Sequence, residues 1–269
     1  MIVFGSRMYG RRDKVRGWGR CDHCGVYGRH LSYNGRKWGH LYFIPLIPAG
    51  PRVRVLKQCA KCQHGIHVPE TEVPAMLSDM RRSVALALSA LVAGRTEFKE
   101  EGSLEPVPCA AFLAATVELL CCLGGGEDVE QLIATLRDEN LTYAHHLVSG
   151  SFLELQADLD GAAAAYMQAA ETAPQDPVPL TLLGDLCVGR KKPDDAQLLY
   201  EKALELDPNN LSIMQSLIEI YTAGKEHGKL AETYETCFKL MPDLAEDKKT
   251  LKAYKKACKK SGRSPVGTQ

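Results

Sequence analysis

The chain has 269 residues, and its 33 basic and 33 acidic side chains cancel to a net charge of zero. That length admits two domains and a connection, while the longest apolar run, Val84 to Gly94, is broken by Ser89 and falls short of the roughly 18 residues a membrane span requires. The zero balance hides a division, because residues 1–68 carry thirteen Lys and Arg against two Asp, residues 69–247 carry twelve against thirty-one acidic groups, and residues 248–269 add eight bases alone. A basic N-terminal part either seeks an anionic partner such as nucleic acid or docks on the acidic part of its own chain.

Residues 1–70 are rich in glycine, arginine and aromatics and contain two Cys-x-x-Cys pairs, Cys21 with Cys24 and Cys59 with Cys62. A two-residue gap aims both sulfurs of a pair at one point, and Gly25 suits the end of such a turn. Four thiolates satisfy tetrahedral Zn2+ and leave no open position, so the expected site is structural; iron would use the same ligand set, and dithiol redox chemistry is the third reading. His23, His64 and His67 lie close by as surface groups or substitute ligands. Strands are predicted over Val26–Tyr33, Trp38–Ile47 and Arg52–Lys57, broken by turns at Asn34-Gly35 and Pro48-Ala49-Gly50. With Phe4-Gly5 at the start and Leu41 to Gly50 between the pairs, this part resembles a zinc ribbon of a small bacterial family without a settled role. Arg11, Arg12, Arg16, Arg20, Arg29, Arg36 and Lys37 interleave with Tyr9, Trp18, Tyr27, Tyr33 and Trp38, a pattern able to neutralise phosphate and stack bases, although part of that charge offsets the thiolates.

Residues 71–140 read as a helical linker or divergent hairpins, with helices over 74–95 and within 107–138 that break at Gly124-Gly125-Gly126 and resume at Glu127-Asp128. Joints are expected at Pro69–Pro74 and Ser103–Pro108. The triple glycine lacks the lysine of a phosphate loop and reads as a helix stop. Cys121-Cys122 and His145-His146 read as packing residues, and no nucleophile, base and orienting acid assemble into a catalytic group. The cysteines outside the two pairs show no pairing logic, which suits a reducing cytoplasm. Met1 to Gly5 is too short for a secretory leader, and arginines follow.

From residue 141 a 34-residue period appears. Tyr166, Tyr200 and Tyr234 are spaced by it, as are Pro174, Pro208 and Pro242, Gly150 with Gly184, Ala162 with Ala196, and Ala169 with Ala203. Each unit reads as two amphipathic helices with small residues where they meet and a proline after the second. Units are expected at 143–176, 177–210 and 211–244; in the third, Ile218, Leu230 and Cys237 stand at small-residue positions. Asp243 to Arg263 fits a capping helix whose apolar stripe is Leu244, Leu251, Tyr254 and Cys258, and residues 264–269 read as a disordered tail.

These positions resemble the tetratricopeptide repeat (TPR), which implies a mainly α fold: a TPR-like helical solenoid over 141–263, preceded by the small β-rich zinc ribbon. The resemblance places a partner groove on the first helix of each unit, here Leu147, Ser151 and Glu154, then Thr181, Asp185 and Val188, then Ser212, Gln215, Glu219 and Thr222. The lysines and asparagines with which some members grip a C-terminal carboxylate are missing there, so a basic or neutral peptide is the expected ligand. The expected protein is therefore a cytoplasmic, non-catalytic adaptor that binds a protein or peptide. The alternatives are a nucleic-acid-associated factor acting through the basic ribbon and a redox or metal-dependent enzyme.

Overall fold

The computed structural model describes residues 4–21, 23–24, 26–41, 44–99, 102 and 105–265. Gly25, Ser103 and residues 266–269 of the expected tail lie outside the described residues, as do the side chains of Phe4, Arg20, Tyr27 and 40–47. The fold is mainly α, with TPR-like helix pairs following a small antiparallel sheet. The chain divides into two compact units, Met1–Ala173 and Pro174–Gln269, so the first holds the sheet together with the early helices and one helix pair.

The sheet has the order β1-β2-β3-β4, with β1 at Phe4–Arg20, β2 at Tyr27–Leu41, β3 at Ile44–Cys59 and β4 at Ile66–Pro69, all antiparallel. Two expected turns are instead strand interior. Asn34-Gly35 lies inside β2, opposite Arg54 and Val53 of β3. The asparagine is there for its side chain, which donates to Asp13 Oδ2 at 2.7 Å and accepts from Arg54 Nη1 at 3.2 Å. The glycine is there for space, since a Cβ on Gly35 would lie 3.0 Å from Met8 Cγ and 3.3 Å from the Tyr33 ring. Across from it, β1 uses three residues for every two of β2 between Tyr9 and Val15, and Gly10 (φ +66°) and Asp13 (φ +49°) supply the left-handed backbone of those bulges. Pro48-Ala49-Gly50 likewise stays within β3 as a bulge, its carbonyl at Gly50 taken by Arg36 Nε at 2.9 Å. β4 pairs only with Val53–Leu56, so Pro48 owes no amide to a strand on that side.

One face of the sheet is covered by helices. α1 (Val73–Val92), α2 (Cys109–Leu123) and α3 (Gly126–Asp138) match the predicted segments, and α2 ends where Gly124 turns left-handed at φ +95°. Leu56 and Val68 of the sheet share a buried cluster with Cys122 and Leu123 of α2, with Val73 and Leu77 of α1 packed against it. Arg54, only 4% exposed, crosses from sheet to helix and donates to the Cys122 carbonyl, which terminates the helix ladder with a charged donor. Gly17 lets α2 approach, because a Cβ there would fall 2.5 Å from Glu118 Oε1. The expected joint before α2 is partly structured, since Val107–Pro108 pairs with Glu97–Phe98 as a two-stranded ladder.

Three helix pairs follow: α4 (Thr142–Leu155) with α5 (Leu159–Thr172), α6 (Val178–Gly189) with α7 (Pro193–Leu206), and α8 (Leu211–Gly224) with α9 (His227–Leu240). The period has a steric cause. A Cβ on Gly150 would stand 2.4 Å from the Tyr166 ring, and one on Gly184 would stand 2.7 Å from the Tyr200 ring. Both rings are fully buried against a helix that offers bare backbone. In the third pair Ile218 fills that place, and Tyr234 shifts its packing onto Phe238 and Tyr254, with ring centroids 6.0 and 6.3 Å away. In the second unit α7, α8, α9 and α10 (Lys248–Ser261) share one apolar core. That last helix starts later than Asp243, because Pro242–Ala245 forms a 3-10 turn and Asp247 caps the amide of Thr250 at 2.7 Å.

A further member of the 34-residue register has no residue-type signature. Ala157, Lys191 and Lys225, at φ +66°, +60° and +60°, make the turn inside each pair in left-handed backbone. Gly184→Ala is expected to lower stability by about 1–3 kcal/mol through overpacking, seen as a lower urea midpoint at unchanged slope, whereas Gly228→Ala, whose added methyl meets nothing within 4 Å, should be neutral or mildly stabilising. Lys191→Gly and Lys225→Gly should each raise stability by about 0.5–1 kcal/mol, as relief of left-handed strain exceeds the entropy cost of glycine; a lower midpoint for both would contradict this account of the turns.

Candidate metal centre and binding faces

Both cysteine pairs sit at the same end of the sheet. Cys21 and Cys24 occupy the β1–β2 connection, Cys59 closes β3, and Cys62 lies in the β3–β4 turn; the pairing of His30 with Cys59 then sets the two turns side by side. The second turn is closed by the Cys59 amide donating to the His64 carbonyl at 2.8 Å and the Gln63 amide to the Cys59 carbonyl at 3.0 Å, with Gln63 in left-handed backbone at φ +60°. All four sulfurs lie within 4.8 Å of one another, Cys21 Sγ and Cys62 Sγ at 3.6 Å and Cys24 Sγ and Cys59 Sγ at 3.8 Å. A tetrahedron with metal–sulfur bonds of about 2.3 Å has edges of roughly 3.8 Å, so the donor set fits a divalent ion.

The electrostatics agree with the geometry. The Cys59 thiol is held down to about 7, first by the backbone amide of Cys62 and then by that of Lys61, which donates to the sulfur at 3.4 Å. The Cys62 thiol is pushed up to about 12: the His64 amide favours its thiolate, but burial and the other three sulfurs outweigh it. Four crowded thiols cannot all ionise alone, and a cation at their centre is what lets them. His23 and His64 stack on each other at 4.2 Å as exposed rings beside the cluster, and His67 is exposed on β4.

Of the groups considered for catalysis, Cys122 is buried, and Cys121, His145 and His146 are half-buried. Burial pushes the Cys121 and Cys122 thiols up to about 11, and Cys122 Sγ rests 3.0 Å from Ser32 Oγ. Burial, His146 and Arg137 together push His145 down. Neither thiol is a nucleophile near neutral pH.

The ten groove residues fall into three groups. Leu147 is fully buried and serves the core of the first unit, so it is removed from the set. Ser151, Glu154 and Asp185 are half-buried and engaged with the tyrosines of their own pairs: Tyr166 donates its hydroxyl to Glu154 Oε2 at 3.1 Å and to Ser151 Oγ at 3.2 Å, and Tyr200 to Asp185 Oδ1 at 2.5 Å. Thr181 donates to the Pro177 carbonyl at 2.9 Å, with Val188 half-buried. Only α8 gives an open row, with Ser212, Gln215, Glu219 and Thr222 all exposed at helical spacing.

The interleaved arginines and aromatics of the sheet separate by face. Arg11, Arg16, Trp18 and Arg29 line one cleft of about 530 Å³ with Gln58, Gln63 and the end of α4, whereas Tyr9, Arg12, Arg36 and Trp38 line a smaller recess of about 210 Å³ with Arg52 and Glu70. Arg29 lies over the Trp18 ring at 5.5 Å and Arg11 over the Tyr33 ring at 4.6 Å.

No family model and no curated protein matches the sequence. Among solved structures, a chain of Naa15/Naa10 bound to HypK-THB superposes with a TM-score of 0.49 at 17% identity, over 57% of this chain and 23% of that one. The TPR2B domain of yeast Sti1, in a complex with pHsp70, gives 0.37 at 19% identity over 44% of this chain and 98% of that one. A MamA mutant gives 0.39 at 17% identity over 62% and 98%. This chain thus spans under a quarter of the Naa15/Naa10 chain it matches. Likeness at these levels says nothing about activity, substrate or partner. No helix among the described residues is long and apolar enough to cross a membrane.

Purified protein is expected to carry about one zinc per chain by elemental analysis. The double variant Cys24→Ser/Cys62→Ser should lose it and unfold at lower temperature, while Cys121→Ser keeps it; full metal content in the double variant would refute the assignment.

Proposed function

We propose that this chain is a non-catalytic adaptor whose helix pairs hold a partner protein or peptide and whose four cysteines hold a structural Zn2+. The exposed row on α8 carries the reading: Ser212, Gln215, Glu219 and Thr222 lie open along one helix face, while the core beneath them is closed by Ile213, Leu217 and Tyr221. The backbone of a pre-formed helix is already ordered, so binding costs side-chain freedom alone, which is how a repeat surface gains affinity without moving. One acidic group in that row favours a neutral or basic peptide, and the half-buried positions around Thr181 and Val188 extend the same surface. The metal would be enclosed by its four sulfurs and supply rigidity rather than chemistry. A cytoplasmic setting is part of the proposal, since thiols must stay reduced to serve as ligands.

Charge reversal at Glu154 or Asp185 would disturb the tyrosine hydroxyls they accept from, so the test belongs on α8. The full-length Gln215→Ala/Thr222→Arg variant should lose captured partner at least tenfold, with zinc content and thermal midpoint unchanged. Undiminished capture by that variant would sink the reading.

A further inference from the structure

The acidic majority of this chain makes unpaired positive charge informative. Arg54 is engaged by carbonyls, Arg81 pairs with Asp128, Arg82 with Asp79, Arg263 with Glu232 and Glu235, and Lys57 with Glu118. Arg11, Arg16 and Arg29 meet no carboxylate among the described residues, and no Asp or Glu lines the cleft on which they converge. Three guanidiniums without a carboxylate among the described residues raise the positive potential of this cleft, and an anion bound there relieves their mutual repulsion.

The aromatic partners narrow the anion. Gly17 faces α2 and Val15 packs with the sheet–helix cluster, so the alternation of β1 turns Arg16 and Trp18 to the opposite face, and their cross-strand neighbours Leu31 and Arg29 with them. Trp18 is half-buried and Arg29 lies across its ring; Tyr33 is buried and Arg11 lies across its ring. Both arginines are exposed, and a guanidinium beside an aromatic ring offers a planar group on which a nucleobase stacks and N–H groups that reach phosphate. Along β2, Arg29 and Tyr33 are four residues apart, roughly 13 Å of strand, a spacing that suits a chain of nucleotides better than a single one. A duplex keeps its bases stacked inside and offers none to these planes. Gln58 fixes the wall of the cleft, accepting from the Tyr33 hydroxyl at 3.2 Å and donating to the Gln63 carbonyl at 3.1 Å.

We propose that the cleft formed by Arg11, Arg16, Trp18 and Arg29, closed on its other side by Leu155 and Ala157 at the end of α4, binds single-stranded nucleic acid. Phosphates are neutralised by the three arginines, and bases stack on the Arg29–Trp18 and Arg11–Tyr33 platforms. This is a second surface, separate from the α8 row, and its success or failure leaves the adaptor reading untouched.

The test is fluorescence anisotropy of the zinc-loaded full-length chain with a labelled single-stranded dodecamer across a salt series. Three phosphate contacts predict a slope of log K against log salt of about −2, at roughly 0.7 per contact. Arg16→Ala and Arg29→Ala should each weaken binding about five- to tenfold and shallow the slope by about 0.7, with zinc content and thermal midpoint at the parent values. Trp18→Leu should weaken binding with the slope unchanged, because stacking releases no counterions, and Lys252→Ala on α10 should alter neither. Four results would each overturn the proposal: no binding by the parent, equal binding to duplex and single strand, equal competition by a mononucleotide or an acidic peptide of matched charge, or arginine variants indistinguishable from the parent.

Discussion

A tyrosine ring laid on the bare backbone of a glycine closes the helix pairs, and much else is arranged around that contact. Gly150 and Gly184 let the first helix of a pair approach until the rings of Tyr166 and Tyr200 fill the gap completely. A ring so buried must still satisfy its hydroxyl, and it does so at the rim, on Glu154 and Ser151 in one pair and on Asp185 in the next. Acidic residues that a surface reading assigns to a ligand are therefore partly internal to the scaffold. Where Ile218 replaces the glycine, the tyrosine is released from that role and joins an aromatic group with Phe238 and the last helix through Tyr254. The third pair accordingly owes its burial to its neighbour α10, while its exposed α8 row stays open.

The sheet faces the opposite difficulty, for it has long strands and a small core. One face is covered by α1, α2 and the shared cluster around Leu56 and Leu123, and Arg54 ties the two layers by a charged hydrogen bond to the end of α2. The other face buries Tyr33 and Val55, with the Arg11 guanidinium over the Tyr33 ring. Its far end brings four sulfurs together, where a thiol favouring ionisation at Cys59 stands beside one resisting it at Cys62, a conflict that a divalent cation would resolve. Arginines laid over aromatic rings, Arg29 on Trp18 and Arg11 on Tyr33, border the proposed nucleic-acid cleft, which Leu155 and Ala157 at the end of α4 also line.

Legibility followed the range of the interaction responsible. The 34-residue period, the helix ends at proline, the capping helix and the two sulfur pairs were all readable, since each rests on a residue type demanded by local sterics or by ligand chemistry. The strand breaks at Asn34-Gly35 and Pro48–Gly50 were misread because the same residue types serve turns and bulges alike; the partner strand β1, with its own bulges at Gly10 and Asp13, decided between them. The left-handed turns at Ala157, Lys191 and Lys225 left no mark, as backbone conformation there is imposed by the packing of the pair rather than by a glycine.

By itself, the sequence determined that helices would come in repeating pairs and that four cysteines could meet around one ion, because spacing along a chain fixes periodicity and ligand count. Only the tertiary structure decided which side chains remained available. Leu147 was claimed by the core, Glu154 and Asp185 by tyrosine hydroxyls, and of the many arginines near the N-terminus Arg11 and Arg29 were laid over rings and met no carboxylate among the described residues. Availability depends on what lies across the fold, and a linear pattern carries no record of its neighbours.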